Sequence, residues 1–238
     1  MILENIKYGR IRHLTLLDPE KNGPDNTEKV IDFIDRAGSD AIMVGGSTGT
    51  GTKSVDELLV AIKRLTKKPV ILFPSSPEAF SPRADGIFYL SLLNSNDLKY
   101  VMGYQVQSSR LLKSTRMEVI SVAYLVFEPG MTVGKVGGAR LIKRDDVSTA
   151  LDYATAAELI GFQAIYLEAG SGAPQSIDPK VVKAVCEDMT IPVIVGGGIR
   201  DPVTARKMLD SGAAAVVTGT IAESDPEILG RIVSAIKS

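Results

Sequence analysis

The chain has 238 residues, with 27 Lys and Arg against 28 Asp and Glu, a formal net charge of −1 and a pI near 6.0. That length suits one large α/β domain over residues 1–238, and the balanced charge excludes a general attraction to nucleic acid or to anionic membranes. No apolar run approaches the roughly 20 residues needed to cross a bilayer, and MILENIKYGR lacks the apolar core of a signal peptide, so a cytoplasmic location without a transmembrane segment is expected.

In chain order, the strand candidates are RHLTLLD, DAIMVGG, KPVILFP, DGIFYLSLL, MEVISVAYLVFEP, AIYLEAG, IPVIVGGG and AAVVTGT. Each is almost continuously apolar, as strands covered on both faces of a parallel sheet must be. Amphipathic segments run between them, among them NTEKVIDFIDRAG, SVDELLVAIKRL, DDVSTALDYATAAELIG, DPVTARKMLDSG and DPEILGRIVSAIKS. Eight such units in one chain predict a single (β/α)8 TIM barrel, with an open doubly wound sheet as the structural alternative. The third crossover, PSSPEAFSPRADG, carries Pro74, Pro77 and Pro82. Repeated proline in so short a segment predicts an irregular crossover without a regular helix, and hence a thin place in the outer wall.

Barrel enzymes carry their chemistry where strands end and βα loops begin. Three of these ends are glycine-rich: YLEAGSG after strand six, VGGGIR after strand seven and TGT after strand eight. Glycine lets backbone N–H groups approach anionic oxygens without a Cβ in the way, so the three loops predict a bound phosphate. Asp178-Pro179, Asp201-Pro202 and Asp225-Pro226 fit helix N-caps followed by Pro at the first helical position. Asp18-Pro19 breaks that pattern, because Gly23-Pro24 interrupts any helix beginning there and Asp25, Asn26 or Thr27 can cap the later one. Asp18 is therefore a catalytic or metal-binding candidate at the barrel mouth. VGGSTGTG after strand two offers the hydroxyls of Ser47 and Thr48, or is simply a polar turn.

Alternation along strand six puts Tyr166 and Glu168 inward, with Ile165 and Leu167 packing against helices. Glu168 beside a phosphate has a raised pKa and becomes a base for a neutral hydroxyl held there, unless it only accepts hydrogen bonds from loop amides or substrate hydroxyls. His13, the only histidine, is expected in the barrel wall. Cys186 is expected to be an inert, buried structural thiol.

HLTLLDPEK, VGGSTG, AYLVFEPGMTVGKVGGA, YLEAGSGAP, VGGGIR and GTIAE occur in order from about Arg12 to the last helix. Together they resemble the geranylgeranylglyceryl phosphate synthase family, in the branch that carries YLEAGSG. The resemblance implies Mg2+-dependent transfer of a prenyl group, ordinarily from geranylgeranyl diphosphate, to the 3-hydroxyl of sn-glycerol 1-phosphate. It implies Asp18 and Ser47 as metal ligands, while the reading of Glu168 as the catalytic base rests on its place in strand six. It further implies that Tyr166, Leu167, Glu168, Ala169, Gly170, Ser171 and Gly172, with Gly197, Gly198, Gly219 and Thr220, bind the glycerol phosphate. Many relatives have Asn where this chain has Thr220. The family contains dimers and hexamers, so a homo-oligomer is implied. The competing readings are another phosphate-binding barrel enzyme, an isomerase or lyase using Asp18 and Glu168 as an acid/base pair, and a non-enzymatic carrier of a phosphorylated lipid precursor.

Overall fold

In the computed structural model, described for residues 1–22, 24–45, 52–219, 221 and 225–238, eight parallel strands close into a barrel in the order β1 to β8. They are β1 His13–Leu17, β2 Ala41–Val44, β3 Val70–Leu72, β4 Gly86–Leu92, β5 Glu118–Val126, β6 Ala164–Glu168, β7 Val193–Gly196 and β8 Ala215–Thr218. Closure is made by β1 pairing with β8. The period of two sorts each strand: Leu14, Met43, Ile71, Phe88, Val122, Tyr166, Ile194 and Val217 fill the bore. Their neighbours turn outward, Leu17, Ile42 and Leu72 onto one set of helices and Leu125, Ile165, Leu167 and Val195 onto another.

The helices are α1 Ile2–Lys7, α2 Pro24–Ala37, α3 Thr52–Leu65, α4 Tyr104–Lys113, α5 Met131–Val136, α6 Val147–Ile160, α7 Pro179–Asp188, α8 Pro202–Asp210 and α9 Pro226–Lys237. The expected caps are formed: the side chains of Asp178, Asp201 and Asp225 accept from the amides of Lys180, Thr204 and Ile228. One expectation is corrected. Helix α2 begins at Pro24, ahead of the Asp25–Thr27 stretch proposed to cap it, because proline fits the first helical turn without losing a needed donor. Asp18 caps no helix, as expected, and closes a turn: its Oδ1 accepts from the Glu20 amide at 3.0 Å, and its carbonyl accepts from the amides of Lys21 and Asn22.

The third crossover contains only a 3-10 turn, Pro77–Ala79, so the helix ring is open between α3 and α4 as the prolines implied. The short helices α1 and α5 were not anticipated. Helix α1 closes the far end of the bore, where Ile2, Leu3 and Ile6 join the interior side chains. It is latched there by Glu118, whose carboxylate accepts from the amides of Ile2 (2.5 Å) and Leu3 (2.9 Å).

His13 lies in the wall as expected, fully buried between β1, β8 and the residues leading into β2. Its Nδ1 is 2.8 Å from Ser39 Oγ and its Nε2 is 3.0 Å from Thr218 Oγ1. Burial pushes its pKa down to about 4, so the ring is neutral at pH 7. Thr15 donates to Ser39 Oγ, and Ser39 in turn reaches the carbonyl of Ala41. That order leaves Nδ1–H to donate to Ser39 and Nε2 to accept from the Thr218 hydroxyl. Cys186 is an inert thiol, pushed up to about 12 chiefly by burial.

Candidate active site

The site is built at the end of β6. Inward projection carries Tyr166 to the bore and Glu168 one layer higher, where its side chain is 6% exposed. Burial pushes the carboxyl up to about 7, against the opposing pull of hydrogen bonds from the Gly170 amide, Tyr124 and Tyr166. The Gly170 amide donates to Oε1 at 2.6 Å, and the Tyr124 hydroxyl donates to Oε2 at 3.3 Å. Glu168 thus accepts hydrogen bonds from its own loop, and its pKa stands where a carboxylate is a useful base at neutral pH.

Its floor is aromatic. Tyr124 and Tyr166 are paired across β5 and β6, with ring centroids 5.2 Å apart and nearly perpendicular. Phe73, just beyond β3, lies 5.6 Å from Tyr124 and 5.3 Å from Tyr166. Edge-to-face packing of this kind fixes the rings and so the hydroxyls. The bare α-carbon of Gly196 makes room for the Tyr166 hydroxyl, which a Cβ there would overlap.

The loops after β6 and β7 meet on Glu168. Gly197, at φ +78°, adopts a conformation that side-chain-bearing residues rarely enter, and a Cβ on it would overlap Glu168 Oε1 and lie 2.6 Å from the Gly170 nitrogen. Across the mouth, Gly219 packs against Leu16 of β1, its α-carbon facing the Leu16 carbonyl and side chain. Asp18 follows Leu16 on the same inward parity and is half-buried.

From this mouth a cavity of about 140 Å³ runs sideways through the gap in the helix ring. Glu168, Ser171 and Leu16 line its inner end, and Phe73, Pro77, Phe80, Leu90 and Tyr104 its walls. Its surface is mostly apolar, with the carboxylate at one end.

Among the described residues, no three of His, Cys, Asp and Glu gather as a ready-made metal cluster. Asp18 offers a single hard carboxylate whose Oδ1 is turned to the Glu20 amide. One carboxylate fits Mg2+, which keeps several waters and shares its remaining positions with substrate phosphates.

The model for the PcrB family matches residues 6–237. This chain belongs to the PcrB family. A geranylgeranylglyceryl phosphate synthase from Picrophilus torridus is 48% identical over 238 residues, 99% of this chain and 98% of that protein. The crystal structure of (S)-3-O-geranylgeranylglyceryl phosphate synthase from Thermoplasma acidophilum in complex with sn-glycerol-1-phosphate is similar at a TM-score of 0.95 and 47% identity. It covers 100% of this chain and 98% of that one. A wild-type GGGPS from Thermoplasma volcanium has a TM-score of 0.94 at 44% identity, covering 100% of this chain and 98% of that chain.

In this PcrB-family chain the structure brings Tyr166, Glu168, Gly170 and Gly197 together. Gly198 follows in the same loop, packed on the Gln175–Ser176 peptide. Leu167, outward as alternation along β6 predicts, and Ala169 are both fully buried in the layer between barrel and helices. Ser47, Thr48 and Thr220 lie outside the described residues. Sequence reasoning passed over Tyr124 and Phe73. The signal for Tyr124 was its place in a strand alternating Val122, Tyr124 and Val126 inward, but only the β5–β6 register puts it opposite Tyr166.

Proposed function

We propose that this chain transfers a prenyl group from a prenyl diphosphate, with geranylgeranyl diphosphate the expected donor, to the 3-hydroxyl of sn-glycerol 1-phosphate. An ether bond forms and diphosphate leaves, which is the first ether-bond step of archaeal-type membrane phospholipid biosynthesis. The observation that carries this reading is a buried carboxylate with a pKa near 7 at the junction of glycine-rich loops and a long apolar groove. The loops suit a small phosphorylated alcohol, the groove suits a long hydrocarbon tail, and Glu168 stands between them.

The amides of Ser171, Gly172, Gly197, Gly198, Gly219 and Thr220 hold the acceptor's phosphate and orient its hydroxyl toward the allylic carbon. Glu168 takes the hydroxyl proton as the new C–O bond forms and the bond to diphosphate breaks. Tyr124 and Tyr166 steady the carboxylate. Burying the tail along the groove contributes about 0.8 kcal/mol per methylene, which anchors the donor while its reacting carbon stays at the mouth. Asp18, with Ser47, would hold Mg2+. When bound, the ion neutralises charge on the departing diphosphate.

Wild type and Glu168→Gln are incubated with Mg2+, geranylgeranyl diphosphate and each enantiomer of glycerol phosphate in turn, and ether product is measured. The expected result is product from sn-glycerol 1-phosphate with wild type and a loss of about 10²-fold or more in the variant, the scale of general-base catalysis. Undiminished turnover in Glu168→Gln removes the base assignment. No product from either enantiomer removes the prenyl-transfer reading and favours an isomerase or lyase.

A further inference from the structure

The run from Leu98 to Met117 contains Lys99, Arg110, Lys113 and Arg116 and no acidic residue, in a chain whose net charge is −1. It folds as a π-helical turn, Lys99–Gly103, that continues directly into α4. The inner side of this helix is a wall of the apolar groove, contributing Tyr100, Tyr104, Gln105 and Ser108. The outer side is unusually apolar: Leu98 is 79% exposed, Met102 55% and Val106 66%. Positions 98, 102, 106 and 110 recur every fourth residue and 113 follows three later, so an apolar half and a basic half share one stripe. Beside the stripe a shallow opening toward the end of α6 is lined by Met102, Val106, Ile160 and Phe162. Ile160 is itself 71% exposed.

Lys99 pairs with Asp97 at 3.2 Å. Among the described residues Arg110, Lys113 and Arg116 enter no ion pair. Contiguous exposed apolar side chains beside uncompensated cations are the composition of a helix that lies in a lipid interface. A two-fold contact with a second copy is a poorer fit, since it would bring these cations near their own symmetry mates with no carboxylate in the run to neutralise them.

We propose that the outer face of the Lys99–Lys113 helix, with Leu98 and Arg116 flanking it, docks on an anionic lipid bilayer, so that the groove on its inner face opens at the edge of the membrane. The proposal rests on the prenyl-transfer reading for its purpose: a long-tailed reactant and an ether-lipid product then exchange between groove and bilayer without exposing the tail to water. Composition excludes attraction of the whole molecule to an anionic surface; the local segregation of charge supplies it on one face.

The test uses the full chain, co-sedimented with vesicles of phosphatidylglycerol and phosphatidylcholine in equal parts, and with phosphatidylcholine alone. Two variants are compared: Leu98→Ser/Met102→Ser/Val106→Ser, and Arg110→Gln/Lys113→Gln/Arg116→Gln, each checked for folding by circular dichroism. Expected are binding of wild type to the anionic vesicles, weakened by raised ionic strength, and a loss of about tenfold or more in either variant. Turnover of the short, soluble donor geranyl diphosphate is expected to be unchanged in both, while turnover of geranylgeranyl diphosphate supplied in anionic vesicles falls with binding. Wild type remaining in the supernatant, or variants binding as well as wild type, overturns the proposal. So does a drop in oligomeric mass of the variants, by analytical ultracentrifugation, with vesicle binding intact, because the strip then faces a second copy. Vesicle binding without turnover of either donor leaves the docking surface standing and fells the prenyl-transfer reading, so the two failures are told apart.

Discussion

Glu168→Gln should make the protein more stable as the pH rises, while it disables the chemistry. The carboxyl has an ordinary value of 4.5 and is pushed up to about 7 in the folded chain, with burial the largest cause. Folding therefore favours the protonated form, and the stability this group contributes is present below about pH 4.5 and lost as the pH climbs through 7. At 1.36 kcal/mol per pH unit between those two values, the charged carboxylate costs about 3 kcal/mol at pH 8 and under about 1 kcal/mol at pH 5. Gln keeps an oxygen for the Gly170 amide, and the Tyr124 hydroxyl is able to accept from its NH2 group, so the substitution removes the charge without stranding its partners. Thermal unfolding of both proteins from pH 5 to pH 8 should show Tm values that converge at the acid end and separate by about 5–10 °C at the alkaline end, in favour of Gln. A Tm difference that stays constant across this range, or a variant less stable at pH 8, would refute the claim that Glu168 is buried against its own ionisation.

Tyr124→Phe removes a hydrogen bond that holds the Glu168 pKa down. The acid limb of the pH–rate profile should then move to higher pH, with kcat/KM depressed several-fold at pH 6 and largely restored at pH 8. A uniform loss at all pH values would show that the tyrosine acts elsewhere. His13→Gln tests the buried wall, where the folded pKa is depressed from 6.5 to about 4. The unfolded chain binds a proton that the native ring refuses, so this contribution is complete above pH 6.5 and lost as the pH falls toward 4. Wild type should lose about 3 kcal/mol relative to the variant between pH 7 and pH 4 in urea titrations. A parallel pH dependence in the two proteins would show that His13 is protonated in the native wall.

Much of this architecture was legible in the residues because burial on both faces leaves a mark on each strand. The eight apolar runs, the Asp–Pro caps and the proline-broken crossover are local signals, and each corresponds to an observed element. The inward aim of Glu168 followed from a period of two. What escaped notice was non-local. Tyr124 meets Glu168 only through the β5–β6 register, and Phe73 joins them from another strand. Helix α1 is too short to show a clear helical period, and its place under the bore depends on Glu118, 116 residues from Ile2. The meaning of Asp18-Pro19 was open in the sequence for a physical reason: one dipeptide does not display whether a carboxylate at a strand end closes a turn or serves the mouth, and the structure shows the turn.

The plug formed by α1 gives the barrel a blind end. A water-soluble reactant has the top of the bore as its way in, whereas the missing third helix opens a lateral door for a greasy one. On the proposed reading, two doors set crosswise keep the entries of the two reactants apart. A barrel of ordinary width thereby serves a partner far longer than its own radius.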